Sequence, residues 1–235
     1  MTQFKASKTS AWVALFLIVP APTLAVLLGQ ERIALPGYWG QVLFLLVGKV
    51  WFFGLPAAWH LLVDRQPVSW SPARRGGWVF GAVSGLAIAA VIFGAYFLVA
   101  KSWIDPEDVK AAAKKSSFDQ LAVYIGLAVY WITLNSALEE YCWRWFVFSR
   151  FQRVLPGGAW VAAVASAVCF TLHHTVAMWP QLGALATMIA SVGVCIGGLI
   201  WSWCYKRYAS LWPAYLSHAI VDVPIFVIGG LLVFG

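Results

Sequence analysis

The chain has 235 residues, of which 62% are hydrophobic and only 11% charged, against about 25% charged in an ordinary soluble domain. That balance excludes a soluble globular fold, and stretches of the roughly 20 apolar residues needed to cross a bilayer occupy most of the sequence. The net charge of +7 comes with no basic cluster interleaved with aromatics on a polar surface. It therefore points to loops held on the cytoplasmic side and not to nucleic acid.

Seven apolar segments run near 11–29, 38–63, 77–100, 119–149, 158–179, 182–204 and 211–235. None alternates with period two, so a β-barrel is not expected. The expected fold is an all-α polytopic membrane helix bundle of about 7 transmembrane helices, a single membrane domain over residues 1–235, and the 15 Trp and 8 Tyr suit its two interfaces. The first segment follows Lys5 and Lys8 and contains Ala21-Pro22-Thr23-Leu24-Ala25, which mimics a signal-peptide cleavage site. Its apolar run continues through Leu28 and six more spans follow, so it reads as a retained first helix. The second segment holds Lys49 and His60, which fit no motif and read as snorkelling or local polar contacts.

Asp64–Gly77, with its Ser, Pro, Arg and Gly, reads as a linker. After the third segment, Asp105 is placed to cap a short helix, Pro106 suits its first turn, and Glu107 and Asp108 complement its dipole, with Lys110, Lys114 and Lys115 towards its end. This predicts a helix lying at the interface.

Placing the N-terminus in the cytoplasm puts Lys5, Lys8, Arg65, Arg74, Arg75, Arg144, Arg150, Arg153, Lys206 and Arg207 inside, and Arg32, Lys101, Lys110, Lys114 and Lys115 outside. Ten against five predicts that orientation, and a bacterial inner membrane is the expected location. Cys142, Cys169, Cys195 and Cys204 all lie in apolar segments without a C-x-x-C pair. They give neither a disulfide framework nor a zinc ribbon and read as small buried hydrophobes.

Six of the nine acids, Glu31, Asp64, Asp105, Glu107, Asp108 and Asp119, lie at loops or helix ends; the other three, Glu139, Glu140 and Asp222, lie in apolar segments. His173, His174 and His218 lie in the same C-terminal segments. A charge at the bilayer centre costs on the order of 3 kcal/mol on insertion scales, so such groups face the bundle interior, pair with one another or line a wet cavity. Glu140 and Arg144 are i and i+4 and can pair on one helix face, while Glu139 sits about 100° around the helix and is left for another task. His218 and Asp222 are again i and i+4, so that one carboxyl can set the tautomer of the imidazole. Counted from the nearer loop, Glu139 lies about 15 Å into its helix and His174 about 24 Å, a poor match for two groups sharing a site.

Glu139-Glu140-Tyr141-Cys142-Trp143-Arg144 fits E-E-x-x-x-R, Phe170-Thr171-Leu172-His173-His174 fits F-x-x-x-H, and His218-Ala219-Ile220-Val221-Asp222 fits H-x-x-x-N/D. In this order, on three separate apolar helices spanning about 119–222, they resemble the CAAX protease and bacteriocin-processing (CPBP, or ABI) family, which includes the type II CAAX prenyl endopeptidases. The resemblance implies a glutamate-type intramembrane endopeptidase acting on a membrane-associated or prenylated protein or peptide. It implies Glu139 as the base that activates water, His174 as its positioner, and His218 with Asp222 at the oxyanion. Glu140, Arg144, Phe170 and His173 are then supporting residues, and no cofactor is needed. Asp222 departs from the asparagine of the prenyl endopeptidases; a carboxylate cannot donate, so Asp222 is expected to orient His218 instead.

Three other functions fit parts of this pattern. A zinc-dependent protease would use His174 and His218 as ligands; a proton-relay transporter also buries carboxylates and histidines, although its inverted repeats are missing from the N-terminal half; and a non-enzymatic binding or immunity protein needs no chemistry at all. The expected partners are a peptide or protein substrate at the membrane and the lipid bilayer, with no nucleic acid.

Overall fold

A computed structural model describes residues 7–29, 35, 38–115 and 117–235; Lys5, Glu31 and Arg32 of the orientation and charge arguments lie outside the described residues. Among the described residues, seven helices are long and apolar enough to cross a membrane: α1 (Lys8–Gly29), α2 (Trp39–Val63), α3 (Trp78–Leu98), α5 (Leu121–Val154), α6 (Gly158–Pro180), α7 (Leu182–Tyr208) and α8 (Trp212–Phe234). The short α4 (Pro106–Lys115) lies between α3 and α5, and its first turn is capped as expected, Asp105 Oδ1 accepting the Glu107 N–H at 2.9 Å. Among the described residues there is no strand, and all four cysteines are free. The protein is an all-α polytopic membrane bundle.

Helix edges fall close to the expected ones, with one consequential exception: α5 continues to Val154. Glu139 is therefore 15 residues from the end of α5 (154 − 139) and His174 is 16 residues from the start of α6 (174 − 158), roughly 22 and 24 Å at 1.5 Å per residue. The longer α5 brings Glu139 level with His174, while His218 lies only 6 residues into α8 (218 − 212), roughly 9 Å.

Small residues decide how closely the helices approach. Ala11, Ala14, Leu15, Ile18, Ala21 and Ala25 of α1 are buried, and α1 packs on the Ser149–Val154 end of α5. Gly81 and Gly85 form a G-x-x-x-G face on α3, a spacing that lets two helix backbones come together in a membrane. A Cβ at Gly81 would collide with the Pro213 carbonyl, and one at Gly85 would lie 2.9 Å from the Ser217 carbonyl oxygen of α8. Ser84 Oγ then donates to Ser217 Oγ at 3.0 Å across the same contact. Between α6 and α7 the chain breaks at Gly183, whose φ of 70° and ψ of −179° lie in a region open only to glycine.

Two features were not anticipated. The first is a set of π-helical turns: Leu46–Trp51 and Trp59–Val63 in α2, and Tyr130–Asn135 and Tyr141–Phe148 in α5. The latter two bracket Glu139 and Glu140, and such wide turns are frequent at functional sites. The second concerns Asp64. Expected as a loop acid, it is buried and forms an ion pair with Arg150 of α5. The Asp64–Gly77 segment is likewise docked: Ser71 accepts the Leu211 N–H at 3.0 Å, and Ser210 Oγ donates to the Ser71 carbonyl at 2.6 Å.

Candidate active site

Three helices supply the polar groups that the motifs single out. On α5 they fall on two faces, as the 100° step requires: Glu140 and Arg144 turn into the core, while Glu139 opens towards α6 and α8. Arg144 Nη1 lies 3.2 Å from Glu140 Oε1, with both side chains buried. This is an ion-pair distance without hydrogen-bond direction, since no guanidinium nitrogen has a hydrogen-bond partner. Arg144 is held by charge and by two aromatic faces, Phe170 at 4.5 Å and Trp201 at 5.0 Å, contacts strengthened by the dry surroundings.

Glu140 also holds the histidine of α8. His218 Nδ1 is 2.9 Å from Glu140 Oε1, and its ring stacks on Trp201 at 4.0 Å and 16°. A carboxylate only accepts, so Nδ1 carries the proton of this bond. Nε2 then points to Glu139 Oε2 and Asp222 Oδ1, 3.8 Å from each. This corrects the expectation for Asp222: the carboxyl that orients His218 is Glu140, which is within bonding distance when Asp222 is not.

On α6, His174 Nδ1 bonds the Phe170 carbonyl at 3.0 Å. A carbonyl accepts, so Nδ1 carries the proton and Nε2 is left free. His173 stacks on Trp143, the rings 5.5 Å apart and nearly parallel; its Nδ1 is buried with no hydrogen-bond partner. One ligand atom each from Glu139, His173 and His174 lies within 4.8 Å of the others. Glu139, His174 and His218, expected to converge from three helices, do so around one polar site.

Residues 119–224 match the family described as Type II CAAX prenyl endopeptidase Rce1-like. The match agrees with the resemblance drawn from the three motifs, and the Rce1-like segment contains every residue named above. Comparison with curated proteins and with solved structures finds no match.

Four groups at the Rce1-like site were not singled out from sequence. Trp201, the stacking partner of His218, carries no pattern in an apolar helix. Ser136 Oγ lies 2.6 Å from Asp222 Oδ2 and 2.7 Å from the Trp131 carbonyl. Asn135 Nδ2 donates to Glu139 Oε1 at 2.9 Å, at an i, i+4 spacing that was open to inspection. Lys49 Nζ, from α2 and outside the Rce1-like segment, donates to Asn135 Oδ1 at 3.2 Å. The lysine had been assigned a local polar contact; that contact leads to Glu139.

Proposed function

We propose that the protein is a glutamate-type intramembrane endopeptidase that hydrolyses a membrane-associated or prenylated protein or peptide without a metal or a covalent nucleophile. The observation that carries this reading is the placement of Glu139: one oxygen is held by Asn135, and the other faces His218 Nε2 at 3.8 Å. That separation is too long for a direct hydrogen bond, and a water off the line between them reaches both at about 2.8 Å. Glu139 takes a proton from this water as it attacks the scissile carbonyl, and His174 Nε2 positions the water from the α6 side. The developing oxyanion needs donors. With Nδ1–H committed to Glu140, His218 donates from Nε2 as the doubly protonated ring, and the two carboxylates Glu140 and Glu139 together balance Arg144 and this ring.

Asp222 and Ser136 share a proton beside this site. Ser136 has one hydroxyl proton but two close acceptors, Asp222 and the Trp131 carbonyl. Both contacts carry a proton only if Asp222 is a neutral acid that donates to Ser136 while Ser136 donates to the carbonyl. The one proton of a neutral Asp222 is then committed to Ser136, and Oδ1 faces His218 Nε2 as an acceptor, which leaves the His218 N–H as the oxyanion donor. On this reading residues 1–235 act as one membrane domain with the N-terminus in the cytoplasm, which agrees with the basic residues counted from the sequence; a bacterial inner membrane remains the proposed location.

A second reading rests on the Glu139, His173 and His174 group. Three such ligands with an open fourth position fit a catalytic zinc site, and the His174 Nδ1–H bond to a backbone carbonyl is the outer contact expected of a ligating histidine. This group differs from the ligand pair expected from sequence: His173 stands in it beside His174, while His218 Nδ1 bonds Glu140. A zinc ion there would polarise the carbonyl and activate water. The deciding assay is cleavage of a membrane peptide by purified wild type and Glu139→Gln, each with and without a chelator. Loss of cleavage in Glu139→Gln with indifference to chelator supports the glutamate mechanism; full activity of Glu139→Gln overturns it. Chelator inhibition reversed by Zn²⁺ selects the metal reading.

A further inference from the structure

We propose that Lys49 is a positioning residue for the reaction: through Asn135 it latches Glu139 in the orientation of a base. The inference rests on Glu139 being that base and adds a residue from the helix outside the Rce1-like segment. Lys49 sits in the middle of α2, in the π-helical turn Leu46–Trp51, too deep to reach an interface by simple snorkelling. Its ammonium lies 4.3 Å from the centre of the Trp131 ring, 5.3 Å from Tyr130 and 5.5 Å from Phe53, aromatic faces that stabilise a cation away from water. Its hydrogen bond to a side chain is the 3.2 Å contact to Asn135 Oδ1.

The direction of the bonds carries the argument. An ammonium has donors and no acceptor, so Asn135 must turn its oxygen to Lys49. The amide is rigid and two-ended, so its NH₂ is then turned to Glu139 Oε1, 2.9 Å away. A carboxylate accepts that bond in its ionised form. If the amide flipped, its oxygen would face Glu139 Oε1 and the contact would survive only with Glu139 protonated, when it is no longer a base. Lys49 thus selects the amide orientation that donates to Glu139 and fixes Oε1, leaving Oε2 to face the water and His218. A lysine serving only to join α2 to α5 would be indifferent to which end of the side chain at 135 it held.

The test is kcat and KM on one membrane peptide for Lys49→Met, Lys49→Arg, Asn135→Leu, Asn135→Asp and Lys49→Met/Asn135→Leu, with thermal midpoints in detergent. Lys49→Met is expected to lower kcat about tenfold, the worth of one charge-assisted hydrogen bond, with KM unchanged, and Lys49→Arg to restore most of it. The double variant is expected to lose no more than the worse single one, because both break the same chain. Asn135→Asp is the sharpest arm. It keeps a partner for Lys49, and so the helix contact, but faces Glu139 with an acceptor; it is expected to keep its thermal midpoint and lose more kcat than Asn135→Leu.

Wild-type kcat in a folded Lys49→Met, multiplying losses in the double variant, or an Asn135→Asp as active as wild type would each overturn the proposal. If Lys49→Met does not fold, Lys49→Arg and Asn135→Asp still decide it. Glu139→Gln in the same assay separates the two levels: if it is inactive while Lys49→Met is unimpaired, only the latch fails, and if it is active, the base reading has failed.

Discussion

The three N-terminal spans and the four C-terminal spans are built from the same apolar material and do different work. α5 to α8 carry Glu139, Glu140, Arg144, the histidines and Asp222, and 119–224 is the part that matches a family. α1 to α3 contribute surfaces: alanines on α1, the Gly81 and Gly85 face on α3 against α8, the Phe52 carbonyl on α2 that accepts from Cys142 Sγ at 3.3 Å and, just after α2, the Asp64 pair with Arg150. The N-terminal half is a brace that touches two of the three chemistry-bearing helices, α5 and α8, and reaches the site itself through Lys49. The lesson is that a catalytic segment in a membrane is held by helices that need no motif, because close packing asks only for small residues at the right spacing.

This contrast predicts which property each substitution should damage. Glu139→Gln should have the largest effect on catalysis, lowering cleavage by about 10²–10⁴ with an unchanged thermal midpoint; a destabilised Glu139→Gln would blur the division between chemistry and brace. Arg144→Ala, within the catalytic half, should act on the fold instead. It strands buried Glu140, at about 3–5 kcal/mol, and should appear as a protein that aggregates or melts early in detergent; a fully stable Arg144→Ala would break the pairing. Gly85→Leu should push α3 off α8 at a cost of about 1–3 kcal/mol, read as a lower melting midpoint, with activity following stability. Asp222→Asn should be the mildest, within a few-fold of wild type, because the amide NH₂ can still donate to Ser136 while its oxygen faces His218. A large loss of kcat in that variant would show that the charge at 222, and not a donor, is needed.

Much of this protein was fixed by local chemistry and was visible in the residues. Seven spans followed from hydropathy and length, because a bilayer tolerates little else. The α4 cap followed from Asp105 and Pro106. The Glu140–Arg144 pair followed from an i, i+4 spacing within one helix, and the shared site from the cost of leaving Glu139, His174 and His218 in lipid.

What only the tertiary structure decided are the contacts between helices, where spacing along the chain carries no information. Glu140 displaces Asp222 as the partner of His218, because the way α8 packs on α5 places one carboxyl 2.9 Å from Nδ1 and the other 3.8 Å from Nε2. Asp64 is a buried anion because Arg150, 86 positions away in sequence, arrives beside it. His173 replaces His218 in the one candidate metal group among the described residues because α6 turns both of its histidines towards Glu139. Lys49 looked solitary in its own helix. Asn135 and the aromatic faces of Trp131 and Tyr130 that hold it lie on α5, and no periodicity within α2 could have shown them.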